Sequence, residues 1–95
     1  MTLAHAQRFG AYGEESGSFK FPHDVLSLMG TAVVVSDTWN GRLQVLSMDA
    51  KSGAMSVLDV FNFSSGMEPC GMTMFDGRIY VAIQGFGQTK FHQRE

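Results

Sequence analysis

The sequence predicts an all-β chain built from a repeated unit, and three observations support this prediction. Runs of β-branched and apolar residues are short and are separated by glycine-containing turns, as in antiparallel sheets. No segment keeps a helical hydrophobic period over about ten residues. Pro22 and Pro69 lie 47 residues apart, as do Gly30 and Gly77. A period in this range is typical of β-propellers, in which one four-stranded antiparallel blade forms each repeat.

The first repeat contains the clearest strands, which are predicted over residues 24–28, 31–36, 42–48 and 55–63. The second of these includes a continuous Ala-Val-Val-Val run, typical of a strand buried on both faces. Asn40-Gly41 predicts a tight hairpin turn with positive φ at both residues. A weaker strand over residues 7–13 and a polar loop over residues 14–20 precede this repeat.

The second repeat is incomplete. Residues 78–81 (Arg-Ile-Tyr-Val) correspond to residues 32–35, and Asp76-Gly77 predicts a second hairpin turn. After Val81 the correspondence ends, and only a weak third strand is predicted around residues 90–92. Residues 1–95 are therefore predicted to form about two antiparallel four-stranded blades of a partial propeller. Residues 7–20 would supply the last strand of a preceding blade and a loop. Residues 21–64 would form a complete blade, and residues 67–95 an incomplete next blade.

A pair of blades leaves two apolar faces bare, because each blade is covered only by its neighbours. The partners expected on this ground are the remaining blades of a larger propeller or further copies of the chain arranged in a ring. The alternative is a small free-standing β-sheet domain in which the repeat is accidental.

The composition excludes several classes of protein. The chain has 95 residues, 44% hydrophobic and 17% charged, which is too apolar for a disordered segment. No apolar run is long enough to span a membrane, and the N-terminus lacks the pattern of a signal peptide, so the compartment stays open. A formal charge of −2 disfavours nucleic acid as a partner. Cys70 is the single cysteine, so the chain holds no internal disulfide.

Asp37, Asn40 and Arg42 form the clearest local cluster of polar residues. Asp and Asn side chains bond to turn backbone, and Arg42 lies across the predicted hairpin from Asp37, within reach of a charge-assisted bond. We interpret these residues as a braced turn; the alternative is a cluster that contacts a ligand.

Trp39 lies at the tip of this turn. A turn has little reason to expose a tryptophan unless the ring covers something or contacts a partner. Two interpretations are open: Trp39 packs on an adjacent blade, or it binds a partner together with Arg42.

His23 directly follows Pro22 at the start of the inner strand. In a propeller this strand begins at the central channel, where imidazoles from several blades can converge on one metal ion. His23 is therefore the candidate metal ligand, with a purely structural histidine as the alternative. The second repeat has Cys70 in the same place, after Pro69. No sequence motif of a nucleophile, a phosphate-binding loop or paired catalytic carboxylates is present, so no catalytic residue is assigned.

Residues 17–22 (Gly-Ser-Phe-Lys-Phe-Pro), the Asp37 to Asn40 turn and residues 42–44 (Arg-Leu-Gln) together resemble one NHL repeat. Within the NHL group, the Pro22-His23 pair is most similar to the blades of peptidyl-α-hydroxyglycine α-amidating lyases. The similarity covers about residues 8–83.

The resemblance implies a zinc ion held by channel histidines, with His23 as one ligand. In that family the zinc acts as a Lewis acid while glyoxylate is removed from a hydroxyglycine-extended peptide, which leaves a peptide amide. The blades that carry the family's further ligands and catalytic residues are absent, so this chain alone is expected to be inactive. If it belongs to an enzyme, that enzyme is expected to be a zinc-dependent peptidylamidoglycolate-type lyase. The alternative is a non-catalytic NHL module that binds protein or RNA through its exposed turns.

Overall fold

The chain folds into two antiparallel β-sheets. The computed structural model describes residues 8–28, 30–85 and 88–94, and the side chains of these residues up to 85. Sheet 1 has the order β1-β2-β3-β4 and sheet 2 the order β5-β6-β7. Their strands are β1 Pro22–Ser27, β2 Ala32–Asp37, β3 Arg42–Met48, β4 Met55–Asn62, β5 Glu68–Phe75, β6 Arg78–Gly85 and β7 Gln88–Arg94. Within the described ranges, no helix is long and apolar enough to cross a membrane.

Sheet 1 is the meander predicted for the first repeat. All four predicted strands form, and β1 begins two residues earlier than expected, at Pro22. Alternation along β2 and β3 places Val34 opposite Val45 on one face, and Val33 opposite Leu46 on the other. Both central strands thus carry apolar residues on both faces, as the continuous run in β2 predicts for that strand.

The turn between β2 and β3 differs from the predicted two-residue hairpin. Residues Thr38–Asn40 form one turn of 3₁₀ helix, and Gly41 alone is left-handed, with φ 63° and ψ 41°. Asp37 pairs with Arg42, so the loop contains four residues. Asn40 does not take positive φ because its side chain is engaged by Asp37 and Gly13, which hold the 3₁₀ turn in place.

The strand predicted over residues 7–13 does not form in its described part, residues 8–13. Gly10 has φ 89°, and a Cβ there would lie 2.6 Å from the carbonyl oxygen of Gly17, so the segment folds back on the loop that follows it. Tyr12 and Phe19 form an isolated parallel bridge in this segment. Residues 8–21 therefore make a folded loop packed on sheet 1.

Sheet 2 repeats the start of sheet 1. The hairpin predicted at Asp76-Gly77 forms with positive φ at both residues, 53° and 74°. The weak strand expected around residues 90–92 is present as part of β7, which pairs along the whole of β6. Each sheet also has an irregular register at the start of its first strand, between Pro22 and Asp24 in β1 and between Pro69 and Met72 in β5. In both cases the first strand has one extra residue, a β-bulge directly after the proline.

The core lies between the two sheets. Val34 and Leu43 from sheet 1 pack with Ile79, Val81 and Ile83 from sheet 2. All five side chains are buried, which makes this the main apolar contact between the sheets.

Two polar contacts join sheet 1 and its 3₁₀ turn to β5 at the same end of the core. The Asp24 carboxylate accepts a hydrogen bond from the backbone N–H of Met72, at 2.8 Å. The Thr38 hydroxyl donates to the carbonyl of Pro69 at 2.7 Å, and this bond is buried. The first strand of each sheet is thereby held beside that of the other.

Sheet 1 has a second apolar face, directed away from sheet 2. It borders a hollow of about 390 Å³ lined by Phe9, Phe19, Pro22, Val25, Val33, Val35, Leu46 and Met55. Val25 is 60% exposed in this hollow. The loop of residues 8–21 covers part of the face and leaves the rest open.

Candidate functional site

The predicted site residues lie at one end of the sheets. β1 and β5 begin there, the 3₁₀ turn joins β2 to β3 there, and residues 63–67 connect β4 to β5. The loop of residues 8–21 covers the same end, because the backbone N–H of Trp39 donates to the carbonyl of Lys20 at 3.1 Å. We call the loop of residues 8–21 the covering loop.

The Asp37 carboxylate is the centre of a buried polar network. One oxygen accepts the backbone N–H of Lys20 at 2.7 Å. The other accepts Nε of Arg42 at 2.7 Å, Nδ2 of Asn40 at 2.9 Å and Nε2 of Gln44 at 3.1 Å. Asp37 has no exposed surface, so these donors take the place of water in stabilising its carboxylate. The predicted bond between Asp37 and Arg42 is present, and the braced turn is formed.

Arg42 and Gln44 carry the network into the covering loop. Arg42 donates to the carbonyls of Glu15 and Ser18, both at 2.9 Å. Gln44 donates to the carbonyl of Ser18 at 2.7 Å and accepts the backbone N–H of Gly17 at 2.9 Å. Arg42 is 8% exposed. The guanidinium is thus buried and already engaged by Asp37 and the loop, which disfavours the predicted contact of Arg42 with a partner.

Trp39 is exposed and belongs to an aromatic cluster that sequence reasoning missed. Its ring contacts Phe21 at a tilt of 41°, with centroids 3.9 Å apart, and Phe21 meets Tyr12 edge-on at 6.3 Å. The exposed fractions are 60% for Trp39, 55% for Phe21 and 70% for Tyr12. We call these three side chains the aromatic surface. Its sequence signal was weak, because its members are far apart in the chain and meet only through the covering loop.

The aromatic surface has a charged edge. Nζ of Lys20 lies 5.8 Å from the centroid of the Tyr12 ring and makes an ion pair with Glu14 at 2.8 Å. The hydrogen bond to Lys20 lowers the pKa of Glu14, and the same bond raises the pKa of Lys20. Both groups are solvent-exposed, so the pair orients the lysine and adds little stability.

Phe21 is held in an unfavourable backbone conformation. Its φ is 50°, in the left-handed region that bulky residues rarely adopt. Conformations of this kind cost on the order of 1–3 kcal/mol and cluster at functional sites. The left-handed backbone brings the ring of Phe21 into contact with the ring of Trp39.

The turn that presents Trp39 is fixed on both sides. Thr38 is buried and bonded to the carbonyl of Pro69, and Asn40 is bonded to Asp37 and Gly13. The carbonyl of Gly41 accepts the backbone N–H of Phe63 at 2.9 Å. Trp39 is thus a rigidly supported ring, which lowers the entropy lost when a partner binds it.

His23 is exposed at the bulge that starts β1. Cys70 takes the corresponding place in β5, half-buried, with Sγ 3.6 Å from the carbonyl of Glu68. Burial raises the pKa of the Cys70 thiol, with a smaller contribution from the charge of Glu68. Among the side chains that the structure describes, no three His, Cys, Asp or Glu residues form a group that could hold a metal ion.

A small pocket adjoins Trp39 on the side of the connection between β4 and β5. Its volume is about 230 Å³, and it is lined by Trp39, Asn40, Gly41, Phe63, Ser64, Ser65, Gly66, Met67 and Glu68. The pocket was not expected from the sequence, because it joins a turn to a connection more than twenty residues further along.

The chain matches no protein-family model, no curated protein and no solved structure.

Proposed function

We propose that the chain is a section of an NHL-type β-propeller, about two blades long. The support is the placement of equivalent strands: two meanders follow each other in the chain, and their first strands lie side by side, joined by the bond between Asp24 and Met72. The bulge after the proline recurs in both sheets, so the two repeats share a backbone feature as well as a sequence spacing.

We propose further that this section is a non-catalytic module that binds a polypeptide through the aromatic surface. One observation carries this proposal: three aromatic rings, each more than half exposed, are in mutual contact, and one of them, Trp39, lies on a turn that a buried network holds in place. Exposed aromatic rings on a rigid support are typical anchors of protein interfaces. RNA is the less favoured partner, since Glu14, Glu15 and Glu68 add negative charge near the surface.

The Trp39→Ala variant tests this function. Peptides are selected on the immobilised full chain from a phage-displayed random library, and the enriched peptides are then synthesised. We expect Trp39→Ala to weaken their binding about tenfold or more, as for an interface hot spot, with little change in the unfolding midpoint. Binding is measured by fluorescence polarisation and the midpoint by urea denaturation.

Phe75→Ala is the matched control, since Phe75 is 69% exposed at the opposite end of sheet 2. It is expected to leave peptide binding unchanged. Equal binding of the enriched peptides to wild type and Trp39→Ala would contradict the proposal. Binding of a labelled single-stranded RNA pool to wild type and not to Trp39→Ala would show that the partner of the aromatic surface is RNA and not a polypeptide.

A second candidate function is a segment of a zinc-dependent peptide-amidating lyase, inactive as an isolated chain. The observation that favours it is the position of His23, exposed at the start of β1, beside the strand that carries Cys70 at the corresponding place. Zinc in proteins takes four ligands, or three and a water. The imidazole of His23 suits such a site, and Cys70 suits it less, because burial disfavours its thiolate. In the isolated chain, the other ligands would come from further copies of the chain, each contributing its own His23.

Zinc retention tests this candidate. The full chain is dialysed after loading with equimolar zinc, and bound metal is measured by mass spectrometry. We expect His23→Ala to lower the retained zinc to background and His92→Ala, the control, to leave it unchanged. Folded wild type that retained no zinc, or retention unaffected by His23→Ala, would sink this candidate.

A further inference from the structure

The pocket beside Trp39 is lined by two aromatic residues and one acidic residue. The aromatic residues are Trp39 and Phe63, and Ser64 and Ser65 line the pocket from the connection between β4 and β5. Glu68, at the start of β5, is the single acidic residue of the lining. Its side chain is half-buried and makes no ion pair with any residue that the structure describes. Among the side chains that the structure describes, the pocket therefore has an acidic residue and no ion-paired cation beside it.

The size of the pocket limits what it can hold. Cavities for whole cofactors and drug-sized ligands are about 300–1,000 Å³. At about 230 Å³, this pocket suits a single side chain of a larger partner. Since it shares Trp39 with the aromatic surface, a chain docked on that surface can insert one residue.

The chemistry of the lining selects a cation. A positive group over the face of a tryptophan is attracted by the ring quadrupole, and the attraction grows when water is excluded. A carboxylate at the same site adds a charge-assisted hydrogen bond. A guanidinium uses both features better than an ammonium, because it is planar, stacks on an aromatic ring and bonds a carboxylate through two parallel donors.

We propose that this pocket receives a basic side chain, arginine in preference to lysine, from the polypeptide that docks on the aromatic surface. This inference rests on the proposed binding function and names the residue that the site recognises. Glu68 and Trp39 are the residues that select it.

Trp39 allows a direct test, because it is the one tryptophan of the chain and its emission reports on the pocket. The full chain is titrated with N-acetyl-arginine amide, N-acetyl-lysine amide and the uncharged N-acetyl-norleucine amide. We expect a saturable change in emission with the arginine probe and a several-fold weaker one with the lysine probe. The norleucine probe is expected to give no saturable change. Added salt should weaken the arginine response, since part of the attraction is ionic.

The Glu68→Gln variant removes the charge and keeps the shape. We expect it to bind the arginine probe about tenfold more weakly, with its circular dichroism unchanged. Asp76→Asn is the matched control: it removes a charge from the far hairpin, and asparagine tolerates the positive φ of that position. It should leave the titration unchanged.

The outcomes separate this inference from the function on which it rests. Norleucine binding as tight as arginine binding, or Glu68→Gln binding as tight as wild type, would overturn the basic-residue inference. Absence of saturation with every probe would overturn it as well. In each case the peptide selection against Trp39→Ala still decides the binding function by itself.

Discussion

Replacing Asp37 by alanine is expected to lower the free energy of unfolding by about 3–5 kcal/mol. The substitution leaves Arg42 buried without its counter-charge and removes the acceptor of Lys20, Asn40 and Gln44. Breaking a buried ion pair from one side typically costs 3–5 kcal/mol. A domain of this size has about 5–15 kcal/mol in total, so the unfolding midpoint in urea should fall by a large fraction.

Two further variants show that the loss comes from the network. Asp59→Ala removes an exposed carboxylate that accepts the backbone N–H of its neighbour Val60 and lies outside the network. It should change the free energy of unfolding by no more than about 0.5 kcal/mol. The double variant Asp37→Ala/Arg42→Met removes the stranded cation and should recover part of the stability. An Asp37→Ala variant as stable as wild type would show that the network does not support the fold.

Replacing Leu43 by alanine is expected to cost about 2–5 kcal/mol, the usual range for a buried leucine. Leu43 is 1% exposed and packs in the cluster that joins sheet 1 to sheet 2. The cavity left behind would lie between the sheets and would weaken the contact on which the two-sheet arrangement depends. Urea denaturation followed by circular dichroism measures the loss.

The matched control is Leu58→Ala, because Leu58 is 61% exposed on β4. Its removal should change the free energy of unfolding by about 0.5 kcal/mol or less. Equal effects of the two substitutions would mean that the sheets do not pack through Leu43. The comparison tests the sheet contact directly, since the residue type is the same in both variants.

Features set by neighbouring residues were predictable from the sequence. The Val33 to Val35 run defines β2, and the alternation from Leu43 to Leu46 defines β3. Asp76-Gly77 forms the hairpin that its residue types predict, with positive φ at both residues. The hydrogen bonds that Asn40 and Arg42 donate to Asp37 were also predictable, since both residues lie within five positions of Asp37 in the sequence.

Features set by distant residues were not predictable. Asn40-Gly41 departs from the two-residue hairpin because Gly13, far away in the chain, takes one of the amide hydrogens of Asn40. The burial of Arg42 has the same origin, since its other acceptors lie in the covering loop. Phe21 reaches Trp39 only because its backbone turns left-handed, and no local pattern marks that turn in a phenylalanine.

The bulge that follows the proline in both first strands has a consequence for sequence change. A residue accommodated in a bulge stands outside the strict alternation of its strand, so its side chain does not decide which neighbours face the core. Position 23 and position 70 can therefore hold residues as different as histidine and cysteine while the strands beyond them keep their pairing. Substitutions at positions 23 and 70 therefore leave the alternating pattern of the strands intact. These two positions can acquire or lose a functional side chain while the chain keeps its fold.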